Sequence, residues 1–377
     1  MLFLAEYSIL YIMKFIISRI SVFLFGLLLA FTVGEIILRG LGYAASDIYT
    51  PGRAGLLILN PNKKIHIRSA CFQNDVQTNS LGFHSKEYSL EKPEGVFRIA
   101  IIGDSFTEAM QVPFDKMMAS LLEQKLNSWD SRSYEYEVVP FGISSHGTYR
   151  NILYYENYAA KFKPDLVIDA LALNDIEDDT FESNLSFDEN NKFVGSKNIE
   201  ASRSTLKSIK KILRKSVLIT TLRKSYATFR SNPENSKGSS AGVKVLLPEY
   251  DDYWQKAWIL AEKLLKSFKD EVAENTSNFM VVSLTEGYRV HNELLDEFKD
   301  TIQGMVIDLD KPEKILGRIA SENSISYLAL TPIFRERSQN EEGLTVWSCD
   351  GHWNERGNEW AADALFNYLV SQKLIKN

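Results

Sequence analysis

The chain has 377 residues, of which 45% are hydrophobic and 24% charged, and this composition excludes an intrinsically disordered protein. The formal net charge is −6, so no basic excess indicates a nucleic-acid partner, and we expect none. Cys71 and Cys349 are the two cysteines. Without a Cys-x-x-Cys pair, a cysteine-based zinc site or a disulfide scaffold is disfavoured, although one bridge between the two can form if the domain lies outside the cytosol.

The amino terminus contains a strongly apolar run. Residues Ile20 to Leu38 read ISVFLFGLLLAFTVGEIIL, interrupted by Glu35, and match the roughly 20 residues that span a bilayer. We expect a retained single-pass anchor and not a cleaved signal peptide, whose apolar region is usually shorter. The segment from Met13 has the basic flank of a natural start, so a start at Met1 or Met13 stays open. Basic residues flank the span almost evenly, and we expect the amino end in the cytoplasm and the main domain outside, in the periplasm or at the cell surface.

The chain divides into three predicted parts. Residues 1–39 form a stub and anchor, 40–96 an extended, turn-rich region packed on the main domain, and 97–377 the main domain with an insertion at 181–252. In the main domain strand and helix patterns alternate. The predicted strands are Phe97–Asp104, Tyr136–Gly142, Pro164–Asp175, Asn278–Leu284 and Ser326–Pro332. The predicted helices are Asp115–Asn127, Tyr149–Phe162, Tyr253–Val272, Pro312–Asn323 and Asn354–Leu374. This pattern predicts an α/β fold, a three-layer flavodoxin-like sandwich with a five-stranded, mostly parallel sheet.

The insertion contains two distinct segments. Ser231–Gly242 has the composition of a flexible linker. Ser204–Ser225 has apolar residues at helical spacing with basic side chains between them. We expect a cap helix with a solvated basic face; contact with anionic lipid or an acidic polymer is the alternative.

Chemistry-bearing residues follow the predicted strands. Ser105 follows the first strand in GDSFTE, Gly142 ends the second in FGISSHG, and Asn174 ends the third in ALALND. Asp350 and His352 precede the last helix in DGHWN. Because a parallel sheet gathers the carboxyl ends of its strands at one edge, we expect these residues to lie close together. Taken alone, GDS is equally compatible with a turn in which Ser105 caps a helix.

In order and content, these four blocks resemble those of the SGNH (GDSL-type) hydrolase family, of the membrane-anchored bacterial type. The resemblance covers about Phe97 to Leu374 without the insertion. Ala172 and Ala109 stand where members commonly have glycine. The resemblance implies a serine esterase or O-acyltransferase that works through an acyl-serine, needs no cofactor or metal, and lies outside the cytosol.

The family roles map residue by residue onto this chain. Ser105 would be the nucleophile, His352 the base that activates it, and Asp350 the acid that orients the imidazole. The backbone N–H groups of Ser105 and Gly142 and the side-chain amide of Asn174 would form the oxyanion hole.

Several neighbouring residues have more than one interpretation. Asp104 is expected to bond turn amides. His146 is a rival base, a substrate contact or an exposed loop residue. An acidic run resembles a metal site, but a solvated loop is the expectation; its members are Asp175, Glu177, Asp178 and Asp179.

The predicted substrate is an O-acetyl or other short acyl ester on envelope or exported polysaccharide. Phe106 and Met110 are candidates for a small acyl pocket, and Trp353 is also expected to pack in the core. Polar and aromatic residues border the blocks and could contact sugar rings: His146, Tyr149, Trp347 and Trp353. The alternatives are a lipid esterase and a non-catalytic envelope scaffold or binding protein that keeps the fold.

Overall fold

The structure is a computed structural model, and it describes residues 2–40, 48–181, 185–189, 192–196, 216–219, 221–222, 243–302 and 304–375. The chain separates into two compact units. One comprises residues 1–47 and 203–234, and the other comprises residues 48–202 and 235–377.

The first unit contains helix α1, Leu2–Gly40. Its segment Ser18–Gly40 has a mean hydropathy of 2.3 and is long and apolar enough to cross a membrane. The carboxylate of Glu35, the acidic residue in the predicted span, pairs with Arg39 at 2.7 Å and accepts hydrogen bonds from the amides of Val217 and Leu218. The charge that interrupts the apolar run is therefore satisfied by polar partners within this unit.

Much of the predicted insertion lies outside the described residues. This holds for all of Ser231–Gly242 and for most of Ser204–Ser225, so the basic helix and its contact with anionic lipid or polymer stay predictions.

In the second unit, eleven strands are described. They are β1 Tyr49–Pro51, β2 Leu57–Leu59, β3 Lys64–Arg68, β4 Gln73–Gln77, β5 Val96–Gly103, β6 Glu135–Gly142, β7 Leu166–Leu171, β8 Leu185–Phe187, β9 Phe193–Ser196, β10 Asn278–Ser283 and β11 Ser326–Ala329. The α-helices in the same described ranges are α2 Ser105–Glu108, α3 Met118–Asn127, α4 Thr148–Asn157, α5 Leu173–Asp178, α6 Asp252–Glu274, α7 Asn292–Thr301, α8 Lys311–Glu322, α9 Leu330–Ser338 and α10 Glu355–Ser371.

A five-stranded sheet forms the centre of this unit, in the order β11-β10-β7-β5-β6, with every pairing parallel. Strand β5 is buried from Phe97 to Gly103, and its apolar run Ile99–Ile102 is typical of a central parallel strand, which has both faces covered. The buried Arg98 of the same strand pairs with Glu137 at 2.5 Å. Alternate residues of β5 enter two cores. Ile99 and Ile101 pack with α3 and α10, whereas Ala100 and Ile102 pack with α4 and α6. The predicted three-layer α/β/α sandwich is confirmed.

Short hairpins precede the sheet. β1 pairs with β2 and β3 with β4, both antiparallel. The side-chain amide of Asn74 in β4 donates to the backbone carbonyls of Met110 and Val112, at 3.0 and 2.6 Å. The hairpin β3–β4 is thereby fixed to the segment that follows Ser105.

Two predicted strands are too long. The strand predicted as Pro164–Asp175 ends at Leu171, because α5 begins at Leu173 and the Asp175 carboxylate accepts the amide of Ala172. The strand predicted as Ser326–Pro332 likewise ends at Ala329, where α9 begins.

Two predicted helices are interrupted, and the helices α5, α7 and α9 lie where no helix was predicted. An extended residue, Met117, separates a 3₁₀ turn from α3, and Tyr158 separates α4 from a second 3₁₀ turn. Helix α7 lies in a stretch to which the sequence pattern assigned no element.

Candidate active site

Ser105 is the first residue of α2, directly after the central strand β5. Asp104 caps this helix, with Oδ1 accepting the amide of Phe106 at 3.0 Å, as the sequence predicted. The helix ends after four residues at Ala109, whose φ of 47° is left-handed. Glycine adopts this conformation without strain, which explains why SGNH hydrolases, which this chain resembles, commonly have glycine at this position.

The three residues predicted to act together do meet. Ser105 Oγ lies 2.8 Å from His352 Nε2, and His352 Nδ1 lies 2.5 Å from Asp350 Oδ1. Gln111 Nε2 donates to the same carboxylate oxygen at 3.2 Å and holds it in place. A hydroxyl, an imidazole and a carboxylate in this order allow the imidazole to take the hydroxyl proton while the carboxylate fixes its tautomer.

His352 and Asp350 each shift the pKa of the other. Burial of the imidazole favours its neutral form, but the hydrogen bond and charge of Asp350, together with the charges of Asp104 and Glu108, outweigh burial and raise the pKa of His352. The hydrogen bond from His352 in turn lowers the pKa of Asp350. The geometry thus stabilises an imidazolium, the species that forms when His352 accepts the serine proton.

Asn174 lies beside the serine. Asp104 Oδ2 is 3.4 Å from Ser105 Oγ and also 3.4 Å from Asn174 Nδ2. The amide of Asn174 has a further carboxylate partner in Asp178, at 3.1 Å. Ala172 stands where SGNH hydrolases commonly have glycine. Its backbone dihedral angles are those of an ordinary extended residue (φ −93°, ψ 159°), so alanine at this position is not strained.

Gly142 is opposite Gly103 in the sheet, at the same edge. A Cβ at position 142 would lie 2.1 Å from the backbone nitrogen of Glu108, so close packing against α2 requires glycine here. The four blocks that carry the resemblance to SGNH hydrolases therefore meet at the carboxyl edge of β5, β6 and β7.

Glu108 is a polar residue at this edge that the sequence did not single out. It is buried, and its carboxylate accepts hydrogen bonds from the Tyr49 hydroxyl and from the amide and hydroxyl of Ser144. Burial raises the pKa of Glu108 to about 7. These bonds connect α2 to β1 and to the loop after β6.

His146 is not positioned to act as the base in place of His352. It is buried, its Nε2 lies 3.0 Å from Asn151 Oδ1, and Asn151 donates to Asp169 at 2.8 Å. Burial lowers the pKa of His146 to about 3. The expectation of sugar stacking is wrong for His146, Tyr149 and Trp353, since each is only 2% exposed. Trp353 packs in the core, as was also expected, against Phe106.

The acidic run is not a solvated loop. Asp175 and Asp179 are fully buried, and burial raises the pKa of both carboxyls well above the usual value. Asp179 accepts the amide of Tyr149 at 3.0 Å and so caps α4, just as Asp175 caps α5. Within the described ranges, no group of three His, Cys, Asp or Glu side chains is arranged to hold a metal ion.

Cys71 and Cys349 form a disulfide across 278 residues. Cys349 directly precedes Asp350, and the neighbouring rings of Phe72 and Trp347 lie 5.7 Å apart. The bond therefore ties the turn between β3 and β4 to the loop that carries Asp350 and His352.

A cavity of about 400 Å³ opens beside the imidazole. Helix α7 forms one wall, with Leu294 and Phe298, while Phe106 and His352 line the other. Met110, expected beside Phe106, is not among the lining residues. The i, i+4 spacing of Leu294 and Phe298 is the sequence signal that could have revealed this wall.

Comparisons with known proteins give structural similarities of low identity. No protein-family model matches the chain, and no curated protein matches it at a significant level. Among solved structures, the acetyl xylan esterase AlAXEase is 13% identical, with a TM-score of 0.41, covering 72% of this chain and 98% of its own. TesA is 13% identical (TM-score 0.38; 73% and 98% covered), and the acetylxylan esterase Axe2 from Geobacillus stearothermophilus is 14% identical (TM-score 0.40; 72% and 94% covered). Similarities at this level assign no activity, so the case for function rests on the geometry of the site.

Proposed function

We propose that this chain is a serine esterase or O-acyltransferase that works through an acyl-serine intermediate. The observation that carries the proposal is the continuous hydrogen-bonded chain from Ser105 through His352 to Asp350. As Ser105 Oγ attacks the ester carbonyl, His352 Nε2 takes its proton, and Asp350 holds the opposite ring nitrogen. The imidazolium then protonates the departing alcohol oxygen, which leaves the acyl group on Ser105.

The second half of the reaction repeats this proton transfer. His352, neutral again, removes a proton from water or from an acceptor hydroxyl, which attacks the acyl-serine. Water gives an esterase and a sugar hydroxyl gives a transferase, and the same residues serve both.

The oxyanion would be held by three donors. We propose the backbone amides of Ser105 and Gly142 and the side-chain amide of Asn174. The amide of Ser105 begins α2, where helix N–H groups have no partner inside the helix. Asn174 Nδ2 and the hydroxyl of Ser105 both lie near Asp104 Oδ2, and this position supports the role of Asn174 as an oxyanion donor.

We further propose that the domain works outside the cytosol, anchored by α1. A disulfide persists in oxidising compartments and is rare in the cytosol, which supports this placement. The helix segment Ser18–Gly40 has the length and composition of an anchor.

The proposed substrate is a short acyl ester, above all an O-acetyl group, on envelope or exported polysaccharide. A series of p-nitrophenyl esters from acetyl to octanoyl tests the acyl half. We expect kcat/KM to fall along the series, because each methylene that finds no room forfeits about 0.8 kcal/mol of burial. A maximum at octanoyl would contradict the short-acyl proposal and favour a lipid esterase.

Labelling with a fluorophosphonate separates an enzyme from a non-catalytic scaffold with the same fold. We expect the full-length chain to be labelled and Ser105→Ala to lose the label, since the reagent needs an activated serine. Ser128→Ala, which changes an exposed serine at the end of α3, is the matched control and should label normally. Absence of labelling in the folded wild-type chain would contradict the proposal.

A further inference from the structure

The cavity between α7 and His352 lies on one side of the reacting groups. His352 uses Nε2 to contact Ser105 Oγ, and its ring also packs against Phe106 at a centroid distance of 5.0 Å. Both rings line the cavity. A group that fills the cavity therefore lies against the imidazole on one side.

The direction of proton transfer decides which half of an ester belongs there. His352 must deliver its proton to the departing oxygen, so the alcohol attached to that oxygen lies against the imidazole. The carbonyl oxygen instead faces the oxyanion donors, of which Asn174 is not a lining residue of this cavity. The cavity beside His352 is thus on the alcohol side of the reaction.

The size of the cavity fits a ring-sized alcohol. Its volume of about 400 Å³ lies in the range of small-molecule sites, roughly 300–1,000 Å³. Tyr288 and Phe298 line it as a stacked aromatic pair, with ring centroids 4.0 Å apart and planes 9° from parallel. Each ring of this pair covers one face of the other, and the remaining apolar ring surface suits the C–H face of a pyranose. The hydroxyl of Thr301 donates to the carbonyl of Phe298 at 2.7 Å and can still accept from a sugar hydroxyl, while the carboxylate of Glu297 can also accept one.

The charge of the lining selects among sugars. Three acidic residues line the cavity, Glu286, Glu297 and Asp350, and among the described residues no Lys or Arg lines it. Glu286 pairs with Arg289 at 3.4 Å and Asp350 with His352 at 2.5 Å. Glu297 is exposed and leaves the cavity negative, which disfavours an acidic sugar.

On these grounds we infer that the cavity walled by Tyr288, Glu297 and Phe298 binds the alcohol half of the substrate, an uncharged or amino pyranose, and disfavours uronates. The inference rests on the proposed esterase or transferase function, and it specifies the alcohol product of the esterase or the acyl acceptor of the transferase. It gives α7 the role of setting specificity for the sugar.

The test uses the full-length chain in detergent and acetate esters that differ only in the alcohol. The probes are a methyl 3-O-acetyl-glucopyranoside, the matching 3-O-acetyl-glucuronoside, decyl acetate and p-nitrophenyl acetate. We expect kcat/KM for the neutral glycoside to exceed that for the glucuronoside by about three- to tenfold, the repulsion of one partly screened charge. Glu297→Gln should remove most of this preference. The control Glu293→Gln changes an exposed carboxylate of the same helix that does not line the cavity, and should leave the preference unchanged.

Loss of the aromatic pair tests the stacking. Phe298→Ala should lower kcat/KM for the glycoside relative to p-nitrophenyl acetate by about tenfold, mainly through KM. An unchanged ratio, an equal rate on glycoside and glucuronoside, or a preference for decyl acetate would overturn the inference.

Binding to Ser105→Ala separates this inference from the proposed function. Saturation-transfer NMR should detect the neutral acetylated glycoside on this variant, and Phe298→Ala added to it should reduce the signal. If wild type hydrolyses no ester while binding persists, the proposed function fails and the sugar site stands. If p-nitrophenyl acetate is hydrolysed while the glycoside does not bind, the sugar site fails and the proposed function stands.

Discussion

Replacing Asp350 with asparagine removes the charge that supports His352 while keeping the size of the side chain. Asp350 Oδ1 is 2.5 Å from His352 Nδ1, and the two side chains are 25% and 28% exposed. If the centres of the two charges are taken as about 4 Å apart, their attraction is about 1 kcal/mol at the dielectric constant of water and about 4 kcal/mol at the lower effective dielectric constant near a protein surface. The asparagine also stabilises the wrong tautomer when it donates to the ring, so we expect kcat to fall by about 10³- to 10⁴-fold.

The same substitution should also shift the pH profile of kcat/KM in a defined direction. His352 must be neutral to act as a base, and Asp350 raises its pKa, so the acid limb of kcat/KM in wild type should lie above the ordinary histidine value of about 6.5. Without the carboxylate, the pKa of His352 falls and the limb moves to lower pH. Hydrolysis of p-nitrophenyl acetate by the full-length chain between pH 4 and about 10 measures both quantities, over the range in which histidine titrates.

The exposed residue Asp115 supplies the control, because Asp115→Asn removes the same charge elsewhere on the surface and should change neither quantity. Wild-type kcat in Asp350→Asn, or an acid limb at an unchanged pH, would refute the reasoning.

Three further predictions concern the parts that hold the site. Reduction of the disulfide, or its removal in the double variant Cys71→Ser and Cys349→Ser, should lower the free energy of unfolding by about 3 kcal/mol and should also reduce kcat. Denaturant melts and rate assays measure the two effects. Equal activity in the oxidised and reduced protein would show that the loop carrying Asp350 and His352 needs no tether. Gly142→Ala should cost about 1–3 kcal/mol by overpacking, because its Cβ meets the backbone of Glu108 at 2.1 Å, and activity should fall with it; a wild-type melting temperature would contradict the packing. The full-length chain should stay in the membrane after high-salt and carbonate washing because of the segment Ser18–Gly40, and recovery in the wash, or a mature amino terminus beyond this segment, would contradict the anchor.

The sequence predicts the parts of the site that depend on local pattern. The run Ile99–Ile102 before Ser105 is apolar because β5 is central, so the end of the strand and the following turn are visible in the sequence. The DGHWN block is equally local, since Asp350 and His352 are two residues apart and lie in one loop. The pairing of that loop with Ser105 followed from the parallel sheet and the family resemblance.

Other features depend on the tertiary structure and were missed or left open. Asp175 and Asp179 have the local pattern of a solvated turn, but both are buried: Asp175 accepts the amide of Ala172 and caps its own helix α5, whereas Asp179 accepts the amide of Tyr149 and caps α4. The disulfide joins residues 278 apart, so spacing alone left it open. Helix α7 carries Leu294 and Phe298 at i, i+4 spacing, but this spacing does not show what the helix packs against; the stacking of Phe298 on Tyr288 beside the cavity does.

The large aromatic residues near the blocks show the same limit. Tyr149 and Trp353 adjoin site residues in sequence, yet both point into the cores, because helix and loop geometry alternates buried and exposed positions. Sequence proximity to a site residue therefore failed for Tyr149 and Trp353, whereas Trp347 lines the cavity and its contact with a sugar ring stays a prediction.

The central claim is that Ser105 carries the acyl group during turnover. Full-length chain mixed with p-nitrophenyl acetate, quenched in acid within the burst phase, and analysed by peptide mass spectrometry tests it directly. We predict one acetyl group on the peptide that contains Ser105, with accumulation lost in His352→Ala. Turnover of the ester without any acetylated peptide, or acetylation at another residue, would contradict the account.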